Sequence, residues 1–313
     1  MGILPRDRLP YGMQLPVVAQ SRLFAQPWEA EARVEDIVRI AQACDEAGFF
    51  YLGVCDHVCI PTDRVPAMSS VWYDSLATLS FLAGVTRRVR LLSYVYVLPY
   101  RHPLATAKAF ATLDVLSGGR VILGVGTGHL EGEFRVLGVE YGSRAALADE
   151  AIDLIRAAWQ TGSPRHRGKH FRVEDVVLAP LPLQKPRPPI WVGGSSRAAL
   201  RRAAARGDGW LPQGVPKMGM EAALAFLREE RARLSGLPID VGMNSPWLYL
   251  GEPSFEVPPG TVTGSPRKIA ECLWSLRSRG ADHVGVRFRA RCCQELVEQI
   301  LRFGEEVGPL LRT

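Results

Sequence analysis

The chain has 313 residues, 47% hydrophobic and 22% charged, with a net charge of +6. That is the composition of a soluble globular chain able to bury a large core, as two ordinary domains or one large α/β barrel. The longest apolar runs, such as Val121–Val125, are far too short to span a bilayer. The N-terminal MGILPRDRLPYG has no cationic segment followed by a long apolar stretch, so no secretory leader is expected and the cytoplasm is the expected location. The 33 arginines and 5 lysines are spread along the chain rather than massed in one block, which favours solvated helix faces over nucleic-acid binding. The six cysteines show no paired CxxC spacing; Cys55 and Cys59 bracket a histidine but leave too few ligands for zinc. Free thiols and no metal are expected.

In chain order, Pro10–Val17 reads as a first strand. Residues Val34, Ile37, Val38, Ala41 and Cys44 recur at helical spacing over Arg33–Ala47, and Gly48 ends that helix. Phe49–Cys55 is a second strand running into Asp56-His57. Asp74–Val85 is a helix, and Val89–Val97 is a third strand dense in β-branched and aromatic residues. Pro103–Leu116 is a helix with proline at its first turn, followed by a Ser117-Gly118-Gly119 turn and strand four, Val121–Val125. Ser143–Thr161 is the next helix.

Residues 162–189 break the alternation, with an expected hairpin (His170–Arg172 against Val176–Leu178) and then a run of prolines. Strand Ile190–Val192, helix Ser196–Ala205, strand Gly209–Leu211, helix Met220–Leu234 and strand Ile239–Leu250 follow. Helix Pro266–Arg279, strand His283–Arg287 and helix Gln294–Val307 complete eight strands and eight helices. That count predicts one α/β domain over 1–313, a (β/α)8 TIM barrel with an insertion after the fourth βα unit.

Barrel enzymes place their sites on the loops after the strands, which narrows the search. Asp56-His57 sets a carboxylate beside an imidazole, suited to proton transfer or to a structural pair. Gly126-Thr127-Gly128 ends strand four in a loop that lets backbone approach a ligand closely. It lacks the spacing of a dinucleotide fingerprint. Gly193-Gly194-Ser195 opens a helix, where free amides and the helix dipole suit a phosphate; a plain serine cap is the alternative. His102 and His129 also stand after strands and read as capping or surface residues. Asp56 with Glu131 or Glu133 would form a carboxylate pair of the kind glycoside hydrolysis needs.

Several stretches, in order, resemble the bacterial luciferase-like superfamily of flavin- and deazaflavin-dependent oxidoreductases. They are ACDEAGFFYLGVCDH (43–57), LPYRHPLATAKAFATLDVLSGGRVILGVGTG (98–128), GVEYGSR (138–144), DVVLAPLPLQKPRPPIWVGGSS (175–196) and GSPRKIAECLWSLRSRGADHVGVRF (264–288). The resemblance implies a flavin-type ring lying across the strand C-termini, backed by a non-prolyl cis peptide that falls at Ser93–Tyr94. It implies His57 in proton transfer with Asp56 beside the ring, and the cofactor phosphate at Gly193, Gly194 and Ser195. It implies coenzyme F420 and hydride transfer to or from a small organic substrate. The alternatives are FMN with oxygen as an FMNH2-dependent monooxygenase, served by a separate flavin reductase, and a cofactor-free barrel that only binds. A homodimer packed through the second and third helices is also implied. Two departures, Pro61 and Thr127 where the sugar-phosphate dehydrogenase branch carries Trp and Glu, speak against that branch's reaction.

Overall fold

The computed structural model describes residues 3–22 and 24–312. Eight strands form the barrel: β1 Tyr11–Gln14, β2 Tyr51–Val54, β3 Arg90–Ser93, β4 Val121–Gly126, β5 Ile190–Gly193, β6 Gly209–Leu211, β7 Asp240–Leu250 and β8 His283–Phe288. Each pairs in parallel with the next, and the ring closes where Tyr11 of β1 lies opposite Val284 of β8. The principal helices are α1 Val34–Glu46, α2 Ser75–Val85, α3 Pro103–Leu116, α4 Arg144–Thr161, α5 Arg197–Arg206, α6 Met220–Leu234, α7 Pro266–Ser278 and α8 Cys293–Arg302. All but β7 are almost wholly buried, against the helices outside and the filled lumen within.

Large rings fill the lumen near the strand N-termini, and glycines on neighbouring strands make room for them. A Cβ on Gly12 would lie 2.5 Å from the Tyr51 ring, one on Gly209 2.4 Å from Trp191, and one on Gly242 2.6 Å from His283. Trp191 stacks on His283 with centroids 4.4 Å apart, and Tyr51 meets both rings edge-on. The lumen is therefore a packed plug that closes one end of the barrel.

Three local expectations need correction. Strand three is interrupted: pairing with β2 ends at Ser93, the cis peptide falls at Tyr94–Val95 rather than Ser93–Tyr94, and Tyr96–Val97 then pairs with β4. The Tyr94 amide still donates to the Val54 carbonyl at 2.6 Å, so the bond before it remains in the ladder and the irregular bond comes one residue later. The hairpin lies earlier than expected, His166–Arg167 against Arg172–Val173. The Glu150 carboxylate on α4 accepts the His170 and Phe171 amides and fixes the turn there, leaving Val177 exposed. The last helix ends at Arg302 and continues as a wider turn, Phe303–Val307. At Gly304 this turn presses on Ala47, whose backbone a Cβ would approach to 2.7 Å. No helix among the described residues is long and apolar enough to cross a membrane.

Candidate active site

At the end of β2 the two adjacent polar residues diverge. Asp56 is buried, and both its oxygens are taken: Arg101 donates to them at 2.7 and 2.9 Å, and the Val97 amide at 2.8 Å. Arg101 in turn lies over the Tyr96 ring. Burial pushes the Asp56 carboxyl up, and the guanidinium works against that shift. Asp56 thus ties the loop after β2 to the start of α3 and does not pair with its neighbour.

The carboxylate beside His57 is Glu133, from the short helix Glu131–Val136 that follows β4. His57 Nδ1 lies 2.9 Å from Glu133 Oε2, which also accepts from the Tyr100 hydroxyl at 2.8 Å. The other oxygen accepts the Val58 and Cys59 amides at 2.6 and 3.2 Å. Burial opposes ionisation of Glu133, but its hydrogen bonds to His57 and Tyr100 win and hold the carboxyl below its ordinary value. An ionised carboxylate only accepts, so Nδ1 is the protonated nitrogen of the neutral ring. Nε2 has no hydrogen-bond partner among the described residues. Trp72 packs edge-on against the imidazole at 4.5 Å, and His129 lies 5.7 Å away. Short spacing did not announce Glu133, because 76 residues separate it from His57; its place after strand four was the available signal.

The ends of β3, β4 and β5 meet around Val95. A Cβ on Gly126 would come within 2.6 Å of one Val95 methyl, and a Cβ on Gly193 within 2.8 Å of the other. Gly128, at φ +76°, would meet Phe134 and Val97. Gly126 and Gly128 therefore admit protein side chains, where the sequence suggested approach to a ligand. Thr127 between them is partly open. Ser93 is fully buried and its hydroxyl donates to the Gly124 carbonyl, so it faces the sheet. Cys55 donates to the Tyr94 carbonyl; burial pushes its thiol up to about 12, so it is a neutral donor. Tyr94 reaches across the lumen, its hydroxyl 3.4 Å from Asn244 Oδ1.

At the end of β5, Gly194 adopts φ +112°, and Ser196 caps α5 by accepting the Ala199 amide. The Ser195 hydroxyl is bound to the loop after β6, accepting the Gln213 amide at 2.9 Å. The amides from Ser195 to Ala198 have no partner among the described residues, which leaves four donors at the positive end of a helix.

The opposite wall is formed by β7, β8 and the segment after β1. A small open cleft lies there, lined by Gln14, Phe24, Gln26, Trp247 and Arg287 among others. A family model for luciferase-like monooxygenases matches residues 13–249, and the chain belongs to that family. One relative, the FMNH2-dependent dimethylsulfone monooxygenase of Pseudomonas putida, is 31% identical over 55% of this chain and 48% of its own. The chain spans about half the length of the first curated relatives it matches. Among solved structures, monooxygenase RslO1 from Streptomyces bottropensis aligns with 96% of this chain and 99% of its own, at 22% identity and a TM-score of 0.80. The coenzyme F420-dependent tetrahydromethanopterin reductase of Methanopyrus kandleri aligns with 97% and 100%, at 18% identity and 0.76. Both share the barrel.

Proposed function

We propose that this luciferase-like oxidoreductase passes hydride between coenzyme F420 and a small organic substrate, and that His57 moves the accompanying proton. The observation that carries this reading is the His57–Glu133 pair, an imidazole fixed by a buried carboxylate with its second nitrogen free at the strand C-termini. The residues present suit a flavin-type cofactor. The four amides from Ser195 to Ala198 would hold its phosphate, and Tyr94 and Val95 would back its ring, with Thr127 beside it. When bound, the deazaflavin supplies a ring carbon that gives or accepts hydride.

Glu133 keeps Nδ1 protonated and lets Nε2 give or accept a proton at the substrate. Trp72 covers one side of the imidazole and limits its contact with water. Asp56 acts at one remove, holding Arg101 and the Val97 amide so that the loop carrying His57 keeps its place. We also infer a homodimer across α2 and α3, in line with the family resemblance; Phe81 is exposed on α2.

A second reading, an FMNH2-dependent monooxygenase supplied by a separate reductase, is favoured by the 31% identity to the dimethylsulfone enzyme. Titrating the purified chain with F420 and with FMN, each oxidised and reduced, separates the two. Tight binding of FMN alone sinks the deazaflavin reading, and binding of neither points to a cofactor-free barrel. With a turnover partner found by mass-spectrometric profiling, His57→Ala is expected to keep cofactor binding and lose about 100-fold in kcat. Full turnover in that variant removes the proton-transfer role.

A further inference from the structure

Several arginines around the barrel close on a carboxylate, Arg101 on Asp56, Arg187 on Asp208, Arg202 on Asp149 and Arg206 on Asp153, and the buried Arg120 and Arg231 are satisfied by backbone carbonyls. Two at the C-terminal end of β8 differ. Arg287 and Arg289 make no ion pair among the described residues, and the Nε of each is buried without a hydrogen-bond partner. Among the described residues the one side-chain hydrogen bond of either is a long one, Arg287 to the Ser245 carbonyl at 3.5 Å. Both guanidiniums lean on the same indole: Trp247 lies 3.9 Å from Arg289 and 5.4 Å from Arg287, and Phe24 lies 5.4 Å from Arg287 on another side.

Two cations on one ring repel each other. Indole faces and hydrophobic walls compensate that repulsion only in part, and a buried N–H without an acceptor is rare in a native structure. Burial and the neighbouring positive charge both disfavour the charged form of Arg289, so the pair is an electropositive site short of an anion. The cleft beside it holds one carboxylate, Glu29, but the Val17 and Gln26 amides already occupy its two oxygens at 2.8 Å each. Gln26 is likewise spent, accepting the Ala290 amide and donating to the Phe288 carbonyl. These bonds pin the end of β8 and hold the arginines in place.

We propose that Arg287 and Arg289, walled by Trp247 and Phe24, form a subsite for the carboxylate or sulfonate of an anionic organic substrate. A planar guanidinium pair matches a planar or tripodal oxyanion, and the aromatic walls suit an apolar body attached to it. The subsite rests on the proposed function only in assigning the anion to substrate. It lies across the barrel mouth from α5, so the cofactor's own phosphate has a separate set of donors.

The test uses the full chain without cofactor and three probes of one shape: benzoate, benzenesulfonate and neutral benzamide, followed by tryptophan fluorescence and calorimetry. Both anions are expected to bind at least about tenfold more tightly than benzamide, with a preference that shrinks as salt rises. Arg287→Gln and Arg289→Gln should each abolish the preference, and Arg289→Lys should keep part of it, all with far-UV circular dichroism unchanged. The Gln variants should titrate with F420 or FMN as the parent does. Equal binding of benzamide and benzoate, no saturable binding of either anion, or a preference that survives in both Gln variants overturns the proposal. So does loss of cofactor binding in the Gln variants with benzoate unaffected, which would assign the arginines to the cofactor's phosphate. Failure of F420 and FMN to bind at all would undo the proposed function and leave the anion result readable.

Discussion

At the scale of single residues, the two buried carboxylates Asp56 and Glu133 do different jobs, and substitution separates them. Asp56 neutralises Arg101 and accepts the Val97 amide, so Asp56→Asn leaves a half-buried guanidinium with only the exposed Asp74, 3.6 Å away, as a charge partner. We expect a loss of about 3 kcal/mol, read from urea unfolding, with a fall in kcat per folded molecule smaller than that of Glu133→Gln. Glu133 fixes the imidazole. Glu133→Gln keeps the shape but can no longer hold Nδ1 protonated by charge, and kcat is expected to fall about 100-fold. Full turnover in Glu133→Gln would mean that the carboxylate serves only the Tyr100 hydroxyl and the Val58 and Cys59 amides.

At the scale of elements, Val95 is a wedge between two strand ends. Its two methyls sit where Cβ atoms on Gly126 and Gly193 would be, at 2.6 and 2.8 Å. Gly193→Ala should therefore cost about 2 kcal/mol through overpacking, and adding Val95→Ala should return most of it. A double-mutant cycle in urea that shows simple additivity would refute the wedge. The same wedge explains why the loop was only partly legible in the sequence. The helices Pro103–Leu116 and Met220–Leu234 were readable to the residue, because proline at an N-terminus and apolar spacing are local signals. Strand three read as continuous because β-branched and aromatic residues fill it to Val97, whereas its break depends on what packs over β4 and β5. His57 was visible as a histidine at a strand end. Its partner Glu133 and the Arg287–Arg289 pair became sites only when distant elements converged.

At the scale of the whole molecule, the barrel has a chemical end and a closed end, and the closed end controls how stability responds to pH. Both His283 nitrogens are buried there without a hydrogen-bond partner among the described residues, and the buried Asp240 carboxyl has only a weak contact with the Trp191 side chain. Burial holds His283 down at about 3. Between about 3 and 6.5 the unfolded chain takes up a proton that the folded chain refuses, so this group withdraws stability as pH falls. Asp240 behaves in the opposite sense: burial, with the charges of Asp282 and Asp208, raises it to about 7. From about 4 to 7 the folded chain holds the extra proton, so Asp240 withdraws stability as pH rises, reaching roughly 4 kcal/mol once it ionises. The two effects offset each other across the mildly acidic range. Asp240→Asn removes one of them: the variant should gain stability over the parent at pH 8, lose that advantage toward pH 4, and fall more steeply on acidification. His283→Phe, which keeps a ring against Trp191, should flatten the acid limb instead. Thermal midpoints of both variants measured from pH 4 to 8 decide the matter, since parallel curves for parent and variants would mean that neither group titrates with folding.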